Sequence, residues 1–319
     1  MGSALSDMGS ALPDAGPRTR SSGHPVVALT IAGSDPSGGA GIQADLKTFA
    51  ALGGYGCAVL TGLTAQSTTG VTRVLPVPAD MVTAQLETLF ADVAVDAVKI
   101  GMTTNAAVAR AVAGALRALR SAGRAPFVVL DPVMIATSGD RLLAPDAEAV
   151  LRDELVPLAD LVTPNLPEAA ALLGVEQARD AAEAADQARA LLGLGARFAL
   201  VKGGHLASAE SVDHLAGPAL GHGSAAGPVL GPGPGSDGVV ALTAPRVPTR
   251  NTHGTGCTLS SACAVLRPRH DDWEPAVRAA KDYLTATLRA ADDLVIGGTG
   301  TAPGPWRGHG PVHHGLSPV

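Results

Sequence analysis

Hydrophobic and polar positions divide most of this chain into two kinds of alternating segment. Short continuous apolar runs, such as Val26–Ala32 and Phe127–Leu130, suit β-strands that are covered on both faces. In the longer segments between them, apolar residues recur every three or four positions, as Val108, Val112 and Leu116 do, and this spacing is typical of an amphipathic helix. The alternation therefore predicts a mostly parallel sheet with helices on both faces.

Further apolar runs extend the predicted sheet. They are Cys57–Leu60, Ala97–Ile100, Leu161–Val162 and Phe198–Val201. Helical spacing recurs around residues 42–49 and 81–90, and a long helix is expected over Val277–Leu294. Since right-handed crossovers bring the ends of parallel strands to one edge of the sheet, we expect a ligand site among the polar residues that follow the strands.

The predicted organisation is a single domain over residues 26–296 with an extension at each end. Residues 1–25 are rich in Ser, Gly, Ala and Pro without periodicity, which predicts a disordered extension. Residues 217–238 share that composition and are expected to form a flexible insert within a hairpin-like excursion of the domain. Residues 297–319 form a Gly- and Pro-rich tail, in which the pair His313–His314 is expected to be solvated rather than to bind a metal.

The composition excludes several classes of protein. Hydrophobic residues make up 46% of the chain and charged residues 16%, which is ample for a sizeable core. A net charge of −6 and 3% aromatic residues leave no basic surface and few rings for stacking, so no nucleic-acid partner is expected. The apolar stretches are too short to span a membrane, and the 3 cysteines form no C-x-x-C pair, so a cytoplasmic protein without a membrane partner is expected.

The most informative stretch is Arg250–Ser261, where Gly254, Thr255 and Gly256 precede small and apolar residues that predict a buried helix. Glycine lets a ligand approach the backbone closely, and the first N–H groups of a helix have no partner within it. With the positive end of the helix dipole, these groups predict a site for an anion such as a transferred phosphoryl group. Cys257 lies at the rim of that site, where a thiol becomes easier to ionise.

Polar residues also follow several of the predicted strands. Lys202 comes directly after an apolar strand and is expected either to reach solvent or to meet an anion. Asp131, Asn165 and Glu168 supply oxygen atoms that could hold Mg²⁺ through its waters and a nucleotide phosphate, without a tight protein site for the metal. Asn165 and Glu168 also have the spacing of a helix N-cap and an acid three residues later, and both roles can hold together.

The residues alone predict an α/β enzyme that handles phosphate. The absence of G-x-x-x-x-G-K-[ST] excludes a P-loop kinase, but phosphoryl transfer needs only in-line positioning, a metal and an electropositive cradle. Asp45 and Gln66 lie near the ends of the first two strand–helix units, where they could read the hydrogen-bonding edge of a small heterocycle.

Five separated blocks carry a more specific signal. They are Thr30–Phe49, Lys99–Met102, Thr163–Ala169, Lys202–Leu206 and Asn251–Cys257. In this order they closely resemble the hydroxymethylpyrimidine/phosphomethylpyrimidine kinases of thiamine biosynthesis, and Gly310–His314 is similar to the C-terminal signature of that family. The resemblance covers the chain from about Val26 to His314, apart from the insert. It implies a three-layer α/β/α ribokinase-like fold with a mostly parallel central sheet, and a homodimer.

The resemblance implies a kinase that uses ATP and Mg²⁺. Its substrate would be the hydroxymethyl group of 4-amino-5-hydroxymethyl-2-methylpyrimidine, and the monophosphate would then be converted to the diphosphate in the route to thiamine. By the same resemblance, Gln66 pairs with the aminopyrimidine. The residues implied to line the pocket around it are Gly33, Asp45, Met102 and Val133.

For the phosphate side, the resemblance makes Gly254–Gly256 the anion hole for the transferred phosphoryl group. It brings Lys202 to the phosphates and has Glu168 act through Mg²⁺ on the nucleotide, with Asp131 on the same side. Many members of the broader superfamily carry Asp as the catalytic base where this chain has Cys257, so the identity of the base stays open.

Three other functions remain open on the sequence alone. The nearest is a pyridoxal or pyridoxine kinase of the same superfamily, in which a cysteine at this position also occurs. A second is a nucleotide-binding relative without catalytic activity. The third is a cysteine hydrolase that uses Cys257 with His253, for which the sequence offers only a histidine four residues away on a loop.

Overall fold

The apolar runs of the sequence form strands of one nine-stranded sheet. The computed structural model describes residues 24–134, 142–144, 146–204, 210–218, 220, 238–297 and 308–315. The strands are β1 (Val27–Gly33), β2 (Tyr55–Ser67), β3 (Gly70–Pro76), β4 (Ala97–Ile100), β5 (Phe127–Leu130), β6 (Leu161–Val162), β7 (Phe198–Val201), β8 (Glu210–Gly217) and β9 (Gly238–Pro245). Predicted strand bounds are confirmed without change for β4, β5, β6 and β7.

The helices are α1 (Gly41–Ala51), α2 (Ala79–Asp92), α3 (Ala106–Ser121), α4 (Ala147–Val150), α5 (Leu166–Leu173), α6 (Ala181–Leu192), α7 (Thr255–Leu266) and α8 (Trp273–Arg289). A π-helical turn (Leu151–Leu155) and a 3-10 turn (Val156–Leu158) continue α4. The predicted last helix was wrong in its bounds. It begins earlier, at Trp273, because the Asp272 side chain accepts the Trp273 N–H at 2.7 Å and caps the helix there.

The strand order is β3-β2-β1-β4-β5-β6-β7-β8-β9. The strands from β2 to β7 in that order run parallel, while β3 pairs antiparallel with β2, and β8 and β9 pair antiparallel at the other edge. The predicted α/β fold with a mostly parallel sheet is therefore confirmed. The second strand was predicted too short, since β2 continues past β1 into a hairpin that pairs Ser67 with Gly70.

Successive strand residues face opposite helical layers, as the alternation of a β-strand requires. In β5, Val128 and Leu130 belong to the core cluster that includes buried residues of α2, α3, α5 and α6, whereas Val129 belongs to the cluster with α7 and α8. Helices therefore cover the sheet on both faces, and this burial explains why the strand sequences are apolar from end to end. Among the described residues, no helix combines the length and apolar composition needed to cross a membrane.

Part of the C-terminal tail packs against the domain. Gly310, Pro311, Val312 and His314 are buried, and His314 retains only 5% of its exposure. The expectation of a solvated pair is therefore wrong for His314, because its ring packs beside α7 rather than facing solvent. The domain bounds stay predictions, and the predicted extension and insert fall largely outside the described residues.

Candidate functional site

A cavity of about 720 Å³ opens at the edge of the sheet where the parallel strands end. All but one of the predicted site residues line it. They are Gly33, Gln66, Met102, Asp131, Val133, Asn165, Glu168, Lys202, Gly254, Thr255, Gly256 and Cys257. Because these residues come from seven separate strand–helix units or loops, their convergence is the placement that a parallel sheet predicts for a ligand site.

Asp45 is the exception, and its placement on the cavity wall was wrong. Its side chain is fully buried on the inner face of α1, where it accepts hydrogen bonds from Thr30 Oγ1 at 2.5 Å and Ser261 Oγ at 2.7 Å. Both carboxylate oxygens also lie within 3.0 Å of Lys99 Nζ. Every acceptor is therefore directed into the protein, and Lys99 rather than Asp45 borders the cavity.

Lys99 was missed as a site residue. A lysine inside the apolar run Ala97–Ile100 was the available signal, since a buried ammonium group requires a partner. Burial lowers the pKa of Lys99, but the acidic groups around it, with Asp45 the strongest of them, together raise it more, so the pKa lies above its ordinary value. The cavity floor therefore holds a permanent positive charge.

The anion site predicted before α7 has the backbone geometry that the glycines suggested. Gly254 has φ 80°, and a Cβ at this position would lie 1.8 Å from the carbonyl oxygen of Gly39, so no other residue fits. A Cβ on Gly256 would lie 3.2 Å from Lys202 Nζ and 3.6 Å from Asp131 Oδ2. The bare backbone of the first turn of α7 and the lysine ammonium group therefore border the same space.

Cys257 does not have the acidity predicted from its place at a helix start. Burial raises the pKa of its thiol to about 11, and the nearby carboxylates of Asp45 and Asp131 raise it as well. The positive charge of Lys99 lowers the pKa by less than burial raises it. The thiol is therefore protonated at neutral pH, and the expectation of easier ionisation was wrong.

Lys202 lies between the carboxylates of Asp131 and Glu168, the two acids predicted to face the nucleotide phosphates. Its Nζ lies 2.8 Å from Asp131 Oδ1 and 4.0 Å from Glu168 Oε2. Although burial raises the pKa of Asp131, Lys202 and Lys99 lower it more, so this carboxylate stays ionised. For Glu168, burial outweighs Lys202 and raises the pKa to about 7.

The predicted helix start at Asn165 is confirmed as a capping box. Asn165 Oδ1 accepts the Glu168 N–H at 2.9 Å, and Glu168 Oε2 accepts the Asn165 N–H at 2.8 Å. Within the described part of the chain, no group of three or more His, Cys, Asp or Glu side chains is placed to hold a metal ion. A divalent cation here would therefore take only one or two carboxylates and depend on phosphate and water oxygens for the rest of its shell.

Asp35 and His253 form a second pair that the sequence argument did not assign. Asp35 Oδ2 lies 2.7 Å from His253 Nε2 and accepts the amides of Gly39 and Ala40 at 3.1 and 2.8 Å. The pair ties the glycine-rich loop after β1 to the loop before α7, and both residues border the cavity. Because Nε2 of His253 is engaged by Asp35, the geometry gives no support to a Cys257–His253 hydrolase.

The two ends of the cavity differ in chemistry. One end lies over β2, β1 and β4, where Gln66 is partly exposed and Gly33 packs so closely on Met102 that a Cβ would lie 2.1 Å from its Cε. The other end lies over β8 and β9, where α8 contributes Leu284 and Leu288 and charged residues such as Arg246 and Lys281 also line the wall. The sheet order places the ends of β5, β6 and β7, with Lys202, between these two ends.

Comparison with known proteins shows which family the chain resembles. The sequence profile of phosphomethylpyrimidine kinase matches residues 35–305. The hydroxymethylpyrimidine/phosphomethylpyrimidine kinase of Escherichia coli (strain K12) is 49% identical over 287 residues, covering 90% of this chain and 96% of that protein. The crystal structure of phosphomethylpyrimidine kinase from Clostridium difficile 630 has a TM-score of 0.67 and 36% identity, covering 82% of this chain and 99% of that one.

A second solved structure is similar along more of this chain. The ADP complex of Bacillus subtilis pyridoxal kinase has a TM-score of 0.75 and 30% identity, covering 92% of this chain and 98% of that one. These neighbours confirm the predicted ribokinase-like fold.

Proposed function

The chain belongs to the phosphomethylpyrimidine kinase family, and we propose that it transfers the γ-phosphoryl group of ATP to 4-amino-5-hydroxymethyl-2-methylpyrimidine and then to the resulting monophosphate. One observation carries the proposal for this chain. A single cavity joins an end at Gln66, a centre with Gly254–Gly256 and Lys202, and an end at Leu284 and Leu288. This is the order in which an alcohol, a transferred phosphoryl group and a nucleotide base must lie for in-line transfer.

At the first of these ends, Gln66 pairs with the edge of the aminopyrimidine. Its amide offers one acceptor and two donors, which match an exocyclic amino group beside a ring nitrogen. Gly33, Met102 and Val133 form the surrounding wall. Asp45 does not contact the substrate and acts by holding the Lys99 ammonium group in place. The alcohol oxygen then faces the centre of the cavity.

At the centre, the first amides of α7 and the Lys202 ammonium group receive the charge of the transferred phosphoryl group. Charges and dipoles that are already in place stabilise the transition state without reorganisation. Lys202 is held by Asp131 at 2.8 Å, so its ammonium group is oriented before the nucleotide binds. The ADP complex of the Bacillus pyridoxal kinase supports nucleotide binding by this chain, which we assign to the end at Leu284 and Leu288.

The residues near the expected phosphate position suit Mg²⁺, but they offer it only two carboxylates. Asp131 and Glu168 would hold it, directly or through water, together with the phosphates of ATP. Bound there, it would neutralise phosphate charge during transfer. This chain provides the remaining positive charge through Lys202 and Lys99.

The two half-reactions place different demands on the protein. The first uses a neutral alcohol that must lose a proton, whereas the second uses a phosphate monoester oxygen that is already ionised at neutral pH. Since the Cys257 thiol is protonated at that pH, we place it in the catalytic site as a group that shapes the anion hole rather than as the base.

Purified protein with ATP and Mg²⁺ tests the proposal in a coupled assay. We expect turnover with the pyrimidine alcohol and with its monophosphate, each measured separately, and much weaker turnover with pyridoxine. The similarity to Bacillus pyridoxal kinase makes that enzyme's activity the second candidate. A kcat/KM for pyridoxine far above that for the pyrimidine would establish it instead, and no turnover with either alcohol would leave a nucleotide-binding protein.

The assembly and location of the enzyme are also proposals. We propose a homodimer, as the family resemblance implies, in the cytoplasm, where the substrate ATP and its cofactor Mg²⁺ are abundant. Light scattering on the purified protein measures the mass of the particle, and a monomer at micromolar concentration would contradict the dimer.

A further inference from the structure

The second half-reaction brings two anionic groups together in the cavity. Its acceptor is a phosphate monoester, which carries a charge of about −1.5 to −2 at pH 7, whereas the acceptor of the first half-reaction is neutral. The γ-phosphoryl group of ATP is assigned to Gly254–Gly256 and Lys202, so the acceptor phosphate must lie beside it, on the side of Gln66. Since like charges repel at this distance, a pocket that serves both acceptors needs a positive charge there.

One cation has that position. The described residues that line the cavity include four lysine or arginine side chains, which are Lys99, Lys202, Arg246 and Lys281. Arg246 directly follows β9, and Lys281 is paired with Asp213 of β8, so both belong to the end of the cavity away from Gln66. Lys202 directly follows β7 at the centre. Lys99 lies on β4, which the sheet order places between β1, on the side of Gln66, and β5, on the side of the centre.

The ammonium group of Lys99 reaches the carboxyl end of β4. A Cβ on Gly101, the residue just after this strand, would lie 2.8 Å from Lys99 Nζ, so the ammonium group occupies the space beside a residue without a side chain. The next residue, Met102, lines the pyrimidine end of the cavity. On the other side, the charge of Lys99 lowers the pKa of Asp131, which bonds to Lys202. The ammonium group therefore lies beside the junction between the pyrimidine end and the centre.

Asp45 gives the Lys99 charge its direction. Both carboxylate oxygens of Asp45 lie within 3.0 Å of Lys99 Nζ, and they also accept the hydroxyl groups of Thr30 and Ser261. Lys99 lines the cavity and Asp45 does not, so the positive end of this ion pair faces the cavity and the negative end faces the protein. Because both side chains are fully buried, salt screens the pair much less than it screens an exposed charge. Lys99 therefore acts on a ligand through its charge rather than by contact.

We propose that Lys99 is the residue that admits the monophosphate: its charge, turned toward the cavity by Asp45, attracts the acceptor phosphate of the second half-reaction to the pyrimidine side of the anion site. The neutral alcohol gains little from this charge, so Lys99 distinguishes the second acceptor from the first. The role gives the buried ion pair a use that packing does not explain, because apolar side chains could fill the same space without the cost of desolvating two charges. This inference rests on the proposed function.

Removing the whole ion pair tests the inference without leaving an unpaired buried charge. Lys99→Met/Asp45→Asn replaces both residues by neutral side chains of similar size, and the asparagine retains an acceptor for Thr30 and Ser261. Calorimetry without ATP gives the Kd of each acceptor. We expect the double variant to bind the monophosphate at least about tenfold more weakly than wild type, while its Kd for the alcohol changes by less than about threefold.

Lys47→Met is the matched control. It makes the same lysine substitution on α1, the helix that carries Asp45, but the Lys47 side chain is exposed and does not line the cavity. This variant should leave both Kd values unchanged. Equal weakening of the two acceptors in the double variant, or a Kd for the monophosphate within about threefold of that of Lys47→Met, would overturn the inference.

A measurement on wild-type protein keeps the test independent of the folding of the double variant. Wild type should bind the monophosphate at least as tightly as the alcohol, because a pocket without a positive charge on the pyrimidine side would bind the charged acceptor more weakly. Weaker binding of the monophosphate than of the alcohol, or no binding of it, also contradicts the role of Lys99. Thermal unfolding shows whether the double variant is folded at the assay temperature, and if it is not, the wild-type comparison decides.

The binding measurements also separate this inference from the proposed function. If wild-type protein phosphorylates neither acceptor, the proposed function fails, while the two Kd values still decide the role of Lys99. If wild type phosphorylates both acceptors, kcat/KM of the double variant should fall at least about ten times more for the monophosphate than for the alcohol. Equal falls for both acceptors would refute the role of Lys99 and leave the proposed function intact.

Discussion

Gly256→Ala separates the function of the anion site from the stability of the fold. Gly256 lies in the first turn of α7 without a positive φ, so alanine introduces no backbone strain. Replacing a helical glycine by alanine stabilises a helix by up to about 1 kcal/mol. The new methyl group would, however, lie 3.2 Å from Lys202 Nζ and 3.6 Å from Asp131 Oδ2, inside the space assigned to the phosphoryl group.

The expected result is a large loss of activity without a loss of stability. Blocking the approach to these amides should lower kcat/KM by roughly 10²–10³-fold, about 3–4 kcal/mol of transition-state stabilisation. The free energy of unfolding should change by no more than about 1 kcal/mol. The measurements are a coupled ATP assay with the pyrimidine alcohol and urea denaturation of the same preparation.

Gly114→Ala is the matched control. Gly114 is an exposed residue of α3, and a Cβ there would meet no atom within 4 Å. The same substitution should therefore stabilise the fold by up to about 1 kcal/mol and leave kcat/KM unchanged. If Gly256→Ala keeps a kcat/KM within about threefold of this control, the phosphoryl group does not lie over the first turn of α7 and the site assignment is refuted.

Three further predictions concern Gln66, Cys257 and His314. Gln66→Ala should raise the KM for the pyrimidine by about one to two decades, because polar ligand atoms lose their partners, and an equal rise in the KM for ATP would contradict the assignment. Cys257→Ala should slow both half-reactions to a similar extent, since its thiol is protonated at pH 7; a loss in the alcohol step about tenfold larger than in the monophosphate step would instead identify Cys257 as the base. The pKa of His314 is about 4 in the folded protein and 6.5 in the unfolded chain. The unfolded chain therefore binds the proton first as the pH falls, so stability that is present above pH 6.5 is lost toward pH 4. Urea denaturation measures the free energy of unfolding at pH 7 and at pH 5. Between these pH values, we expect the free energy of unfolding of His314→Gln to fall by about 2 kcal/mol less than that of wild type. Equal falls in both proteins would show that His314 does not titrate in this way.

Much of the fold could be predicted because its strands are buried on both faces. Runs such as Ala97–Ile100 and Phe127–Leu130 are apolar from end to end and bounded by polar residues, so their bounds were correct. The hairpin of β2 and β3 was missed for the opposite reason. All its residues from Gly70 to Pro76 are exposed or half-buried, so no continuous apolar run marks the strand, and its pairing with β2 supplies the hydrogen bonds.

The position of the site was also predictable from the chain alone. Residues that follow parallel strands must converge at one edge of the sheet, and the glycines before α7 are required by a left-handed φ and a close backbone approach at Gly254. The anion site before α7 stays a prediction, and the strand-end residues predicted to surround it, apart from Asp45, line one cavity.

Only the tertiary structure decided how the individual side chains are used. The sequence shows Asp45 as one polar position on a helix, but its partner Lys99 is 54 residues away, and that ion pair turns the carboxylate away from the cavity. The acidity of Cys257 depends on desolvation by the segments packed around it, which opposes the effect of its helix start. His314 reaches Thr258 across 56 residues. Spacing along a chain reports which residues can share an element, whereas charge, desolvation and hydrogen bonding depend on through-space neighbours that only the packed fold brings together.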